Sequence, residues 1–169
     1  GVQTCALPIF IGTLATRATV PVDIVTGDRD LFQLVDDERG VRVVYTARGM
    51  SNLEIVTDAT VVEKYGVHAA QYADFAVLRG DPSDGLPGVA GIGEKSAAAL
   101  LGAHGDLAGI AAALESGTAG TPAQRTKLAA AHDYLDKAPT VVRVVRDLDL
   151  SAHDDVLHPL DDAAKIGRA

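Results

Sequence analysis

Four aspartates and one glycine-rich loop stand out from the 169-residue chain as groups that could do chemistry. Asp28 and Asp30 lie one residue apart in Thr26-Gly27-Asp28-Arg29-Asp30-Leu31-Phe32-Gln33-Leu34, just beyond the β-branched run 22–26 (VDIVT). Carboxylates past the C-terminal end of a strand occupy the position where open α/β sheets build their sites. The same residues also suit a helix N-cap and a polar turn, so the pair alone leaves a structural role open. Asp81 and Asp84 follow about fifty residues later, in Gly80-Asp81-Pro82-Ser83-Asp84-Gly85-Leu86-Pro87-Gly88-Val89-Ala90-Gly91-Ile92-Gly93-Glu94-Lys95. A polar turn before a helix explains glycine and proline there, but not this ordered combination. With Gly91-Ile92-Gly93 at a helix start, backbone amides can approach an anion closely, and the helix dipole favours it. Lys95 adds a point charge and Ser96 a hydroxyl donor to the same anion. Such a loop grips a phosphate backbone without reading its sequence.

The elements that must position these groups alternate between strand and helix. Residues 11–18 read as the last turns of a helix, 22–26 as a buried strand and 31–35 as a short helical stretch. Residues 41–46 (VRVVYT) read as a second strand and 53–56 as a short edge strand. Thr57-Asp58 caps a helix that Gly66 ends, and 68–79 is a further helix with Tyr72, Phe75, Ala76 and Leu78 at helical spacing. Alternation of this kind predicts an α/β sheet with parallel pairing. The stretch 80–93 holds five Gly and two Pro, a rigid turn-rich loop. Helices are expected over 94–101, 106–114 and 122–135, and 141–145 returns to strand character.

The ordered pair of motifs, TGDRDLFQL followed by LRGDPSDGLPGVAGIGEKSA, resembles the 5′ nuclease family: the 5′→3′ exonuclease domain of bacterial DNA polymerase I and the flap endonucleases. The resemblance covers residues 11 to about 150, with Gly85 where the family usually has Asn and Ser96 where it has Thr. It implies a PIN-like α/β core with a parallel-type sheet, plus a helical helix–three-turn–helix subdomain that binds duplex DNA. It further implies that Asp28, Asp30, Asp81 and Asp84 belong to a catalytic carboxylate cluster holding two Mg²⁺ or Mn²⁺ ions. Gly91, Ile92, Gly93, Lys95 and Ser96 would contact DNA, and a K⁺ ion would sit on backbone carbonyls near Gly88, Val89 and Ile92. Hard divalent cations prefer carboxylate oxygens, and two of them serve phosphodiester hydrolysis. The expected substrate is DNA with 5′ ends or flaps, with a polymerase possible downstream. Two alternatives stand beside this reading: a non-catalytic module that only binds the DNA backbone, and a PIN-type ribonuclease, which would lack the GDPSDGLPGVAGIG element.

Composition limits the reading further. One cysteine permits no internal disulfide, which makes the cytoplasm the default compartment, and no apolar run is long enough to span a bilayer. A formal charge of −8 gives no hint of a nucleic-acid partner, so DNA would have to meet local patches or metal-masked carboxylates. Residues 1–9 (GVQTCALPI) and 165–169 (KIGRA) can both be back-translated into a common sequencing adapter, in opposite orientations. The natural segment is therefore expected over about 10–164; without Lys165 and Arg168 its 15 basic residues become 13 against 23 acidic, and its charge −10. On this division 10–66 is the C-terminal part of the nuclease core, 67–137 the DNA-binding subdomain and 138–164 a return strand and tail. The resemblance also implies further acidic ligands and a helical arch upstream of residue 10, so the chain by itself is expected to be inactive. The histidines at 68, 104, 132, 153 and 158 show no metal-ligand spacing. Arg125 and Lys127 fit a DNA contact or a solvated helix face equally well. Tyr45, Tyr65, Tyr72 and Phe75 read as core.

Overall fold

Val22–Thr26 (β1) and Val41–Tyr45 (β2) form the parallel pair of the sheet, with Val22 opposite Val41 and Thr26 opposite Tyr45. The structure, a computed structural model, describes residues 6–49 and 51–150. Glu54–Val56 (β3) pairs with the other side of β2, giving the order β1-β2-β3. This second pairing is antiparallel, unlike the parallel pattern that the alternation suggested. The connection from β2 to β3 is a short turn closed by the Gly49 amide on the Thr46 carbonyl, too short for the crossover that a parallel neighbour needs. Ile24, Val41, Val43 and Val56 are buried and join one core with Leu31, Phe32, Tyr72, Phe75 and Leu78.

The helices follow from their caps and their apolar faces. Ala6–Arg17 (α1) packs against the Arg29–Leu34 stretch, which is a 3-10 helix, and Arg39 donates to the carbonyls of Thr16 (2.6 Å) and Ala18 (3.0 Å) at the end of α1. Asp58–Tyr65 (α2) starts at a Thr57–Thr60 capping box and stops at Gly66, whose φ of 71° is left-handed. Tyr72–Arg79 (α3), entered through the 3-10 turn Ala69–Gln71, is apolar on most sides and buried from Tyr72 to Leu78. Glu94–His104 (α4) and Leu107–Glu115 (α5, capped by Asp106) complete the packing around α3.

Two expectations are corrected. The helix read over 122–135 is two helices, Pro122–Ala130 (α6) and His132–Val142 (α7), with the break at Ala131. The break lets Leu128 enter the main core while Ala138 and Val142 turn toward α3 and form a smaller cluster with Ala76 and Val77. The strand read over 141–145 does not form: Val142 ends α7, and the Arg143 amide still bonds the Pro139 carbonyl at 3.0 Å. The following amide, Val144, donates to the Gln33 side chain (3.0 Å) rather than to a strand, so a buried glutamine replaces the sheet ladder. No single helix among the described residues is long and apolar enough to cross a membrane.

Candidate carboxylate site and backbone-binding loop

Both aspartate pairs are set by the same local device. Asp28 is the N-cap of the 3-10 helix after β1: its Oδ1 accepts from the Asp30 amide at 2.9 Å, and its own amide donates to Thr26 Oγ1 at 3.0 Å. Asp81 is the N-cap of the 3-10 turn Pro82–Asp84, accepting from the Ser83 amide at 3.0 Å and from the Ser83 hydroxyl. Capping therefore explains why aspartate is present at both positions, and each cap fixes one oxygen while the carboxylate's second oxygen stays outside the turn. Asp28 and Asp84 are exposed, Asp30 is half-buried and Asp81 is buried.

The pairs are far apart in sequence but not in space. Asp30 is pushed up to about 7, first by burial and then by the negative charges of Asp84, Asp28 and Asp81. Asp84 is raised for the same reasons, burial first, then Asp81 and Asp28. Asp81 moves the other way: burial opposes its ionisation, but the Ser83 hydrogen bonds and the charges of Arg79 and Arg29 prevail and lower it. Arg79 reaches Asp81 Oδ2 at 3.2 Å and Glu94 at 3.3 Å while its guanidinium lies 5.0 Å above the Phe75 ring. The four carboxylates interact electrostatically, yet no three His, Cys, Asp or Glu among the described residues are drawn together tightly enough to grip one ion. The donor set is all carboxylate oxygen, which suits a hard divalent cation that keeps part of its water shell.

The loop from Gly80 to Gly93 is held by backbone contacts that only glycine permits. Gly80 and Gly88 both have positive φ, 88° and 70°, and a Cβ on Gly88 would stand 2.5 Å from the Arg79 carbonyl oxygen and 2.6 Å from the Gly80 amide nitrogen. Asp81 and Leu86 close the turn between them as an isolated bridge. Tyr134 on α7 pins the far side: its hydroxyl donates to the Val77 carbonyl (2.8 Å) and accepts from the Gly88 amide (3.2 Å). Val89 and Ile92 are buried anchors, and the Ile92 amide is spent inside the loop on the Val89 carbonyl at 2.9 Å. Of the residues expected to meet a phosphate, Ile92 therefore supplies anchoring rather than an outward amide. Gly93 is the N-cap of α4 and offers no side-chain cap, which leaves the first-turn amides of Glu94, Lys95 and Ser96 without an intrahelical partner. Gly91, Gly93 and Lys95 are exposed and Ser96 is half-buried beside them. Lys127 on α6 donates to the Gly91 carbonyl at 3.1 Å, so it braces the loop from behind.

Some of this was outside the reach of sequence spacing. Arg79, Tyr134, Lys127 and Gln33 act at the site through contacts with distant residues, and only Gln33 and Arg79 stood in a motif. Gln33 donates to the carbonyls of Asp30 (2.8 Å) and Val142 (2.9 Å), tying the aspartate turn to the end of α7. A buried glutamine inside an apolar 3-10 turn is the one signal that could have marked it.

The combination of a small mixed sheet, a carboxylate pair past a strand end and a glycine loop opening a helix defines a nuclease-like α/β class. A family model described as 5'-3' exonuclease, C-terminal SAM fold, matches residues 67–163, more than half of the chain. The chain belongs to the 5'-3' exonuclease family. It is 62% identical over 141 residues to a 5'-3' exonuclease of Streptomyces coelicolor, covering 83% of this chain and 47% of that protein. It is 52% identical over 144 residues to a 5'-3' exonuclease of Mycobacterium tuberculosis, covering 81% and 45%, and 50% identical over 110 residues to the DNA polymerase I of Mycobacterium leprae, covering 63% and 12%. The chain thus spans about half the length of the exonucleases it matches, and the same region occurs within a polymerase. Among solved structures, a mutant T5 5'-exonuclease matches with a TM-score of 0.64 at 19% identity, covering 80% of this chain and 52% of that one. A T5 flap endonuclease, described as a pseudo-enzyme-product complex with DNA and metal ions, matches with a TM-score of 0.65 at 18% identity, covering 81% and 47%. At these identities the structural likeness speaks for the fold.

Proposed function

We propose that this chain is the catalytic-cluster and DNA-gripping part of a divalent-metal-dependent 5′→3′ DNA exonuclease and flap endonuclease acting in the cytoplasm. The observation that carries this is the rise of Asp30 to about 7, caused first by burial and then by the negative charges of Asp84, Asp28 and Asp81, which belong to two capped turns distant in sequence. Structural capping needs neither the convergence nor its electrostatic penalty, whereas a cation site needs both. On this reading the four carboxylates hold Mg²⁺ or Mn²⁺, which when bound supply an activated water and charge stabilisation for phosphodiester hydrolysis. Arg79 holds Asp81 ionised and aimed, and the Asp28 cap fixes the backbone from which Asp30 projects.

Residues 67–137 act as a helix–three-turn–helix DNA grip, separate in role from the core part at 10–66. The first-turn amides of α4 with Lys95 and Ser96 meet a backbone phosphate, Gly93 keeps that approach free of a side chain, and Gly91, with the Lys127 ammonium beside it, adds to the same face. A K⁺ ion on the carbonyls near Gly88, Val89 and Ile92 would add a positive charge to the same face. The test is Mn²⁺ binding to the chain followed by electron paramagnetic resonance. Binding should be lost in both Asp30→Asn and Asp84→Asn, and binding retained in both variants would refute the shared site.

A further inference from the structure

A concavity of about 280 Å³ opens between β2, β3, α2 and Arg29, the residue that separates Asp28 from Asp30. Its walls include the half-buried rings of Tyr45 and Tyr65, and Arg29, Arg48, Lys64 and Glu54 supply its charged groups. Lys64 is ion-paired with Glu54, the one acid among the lining residues. Neither Arg29 nor Arg48 is ion-paired through its side chain to a carboxylate among the described residues. A chain of charge −8 therefore brings two guanidinium groups without a contact ion pair to one small pocket, Arg29 also acting on the charges of Asp30, Asp81 and Asp84. Arg29 also links this pocket to the aspartates, because it interacts electrostatically with Tyr45, Tyr65 and Tyr72 on one side and Asp81 on the other. Behind the wall, the Tyr72 ring lies 5.2 Å from that of Tyr65. Cationic side chains set against ring walls are a poor way to build a core and a suitable way to build a ligand pocket.

We propose that this pocket is a nucleotide subsite, taking the phosphate of one 5′-phosphorylated nucleotide on Arg29 and Arg48 and its base against Tyr45 and Tyr65. Guanidinium groups present a planar fork that matches phosphate oxygens, and tyrosine rings stack on any base without reading its identity. The pocket is too narrow for a duplex, so its occupant is a single nucleotide or the end of a single strand. The assignment rests on the nuclease reading above for its role: it holds the nucleotide next to the one at the carboxylates.

The test uses the 169-residue chain in EDTA, titrated with deoxyadenosine 5′-monophosphate, deoxyadenosine or inorganic phosphate and followed by amide shifts in NMR. The monophosphate should bind at least about tenfold more tightly than either fragment, with shifts at Tyr45, Arg48 and Tyr65. Arg48→Ala, at an exposed position, should weaken it about tenfold or more and leave duplex binding unchanged, while Lys95→Ala should do the reverse. Arg29→Gln provides a second variant, and each variant's amide spectrum reports whether it is folded. Inorganic phosphate binding as tightly as the nucleotide, indifference to both arginine substitutions, or shifts confined to 91–96 would each overturn the proposal. Because EDTA removes divalent ions, failure here is distinct from failure of the metal site.

Discussion

Replacing Asp30 by Asn should stabilise the metal-free chain at neutral pH, although Asp30 sits in the candidate catalytic centre. Asp30 titrates near 7 in the folded chain, well above an unfolded aspartate at about 3.9. The folded state therefore binds this proton more tightly than the unfolded state does. Its stabilising effect is complete below about pH 4 and is lost as pH rises toward 7. The full difference corresponds to about 4 kcal/mol, of which about 2.5 kcal/mol would fall between pH 5 and 8. Asp30 is only half-buried, so solvent screening should reduce that to roughly 1–2 kcal/mol. Asp84, raised by the same neighbours, acts in the same direction, whereas the lowered Asp81, Asp58 and Asp23 lose their contributions at pH values below this window. Urea unfolding at pH 5 and pH 8 in EDTA, on the wild type and Asp30→Asn, measures what the Asp30 charge costs the fold, its effect on the neighbouring aspartates included. The wild type should lose roughly 1–2 kcal/mol more than the variant on going to pH 8, and Mg²⁺ at pH 8 should restore stability to the wild type alone. Parallel pH profiles for the two proteins would refute the claim that burial and the neighbouring aspartates raise Asp30 in the fold.

Gly88→Ala should cost roughly 3 kcal/mol or more in urea unfolding, because a left-handed residue acquires a Cβ that meets the backbone of Arg79 and Gly80; a loss below about 1 kcal/mol would show that this close approach is not real. Lys95→Ala should weaken duplex binding equally for all sequences and reduce the salt dependence by about one phosphate contact, measured by fluorescence anisotropy across salt concentrations. A changed sequence preference would contradict a grip confined to the phosphates.

The parts of the fold that were readable are those written locally. Thr57 before α2 and Gly66 after it carry their own hydrogen-bond logic, and the bounds of that helix follow from them. The β-branched runs of β1 and β2 likewise declare themselves by composition. The errors fall where a distant partner decides. Residues 141–145 have strand composition, but the available partner for Val144 is the Gln33 side chain, and no local pattern announces that. The helix over 122–135 is continuous by propensity and breaks because two different cores bid for its faces. At the candidate site, residue type and order singled out all four aspartates, and two of them, Asp28 and Asp81, are caps. Their supports, Arg79, Tyr134 and Lys127, depend on side chains crossing between elements, and the hydrogen bond of the Ile92 amide to the Val89 carbonyl is equally absent from any local pattern.

The central claim is that these aspartates and this loop belong to a metal-dependent nuclease centre. Its most direct test replaces the matching segment of the Streptomyces coelicolor exonuclease with residues 10–150 of this chain, an exchange eased by 62% identity. Cleavage of a 5′-flap DNA substrate is then followed with and without Mg²⁺. The chimera should cleave only with the cation, and Asp84→Ala or Asp30→Ala should each lower the rate by about a hundredfold or more while duplex binding persists. A folded chimera that cleaves at an undiminished rate with both aspartates replaced, or that binds DNA and never cleaves it, would contradict the account.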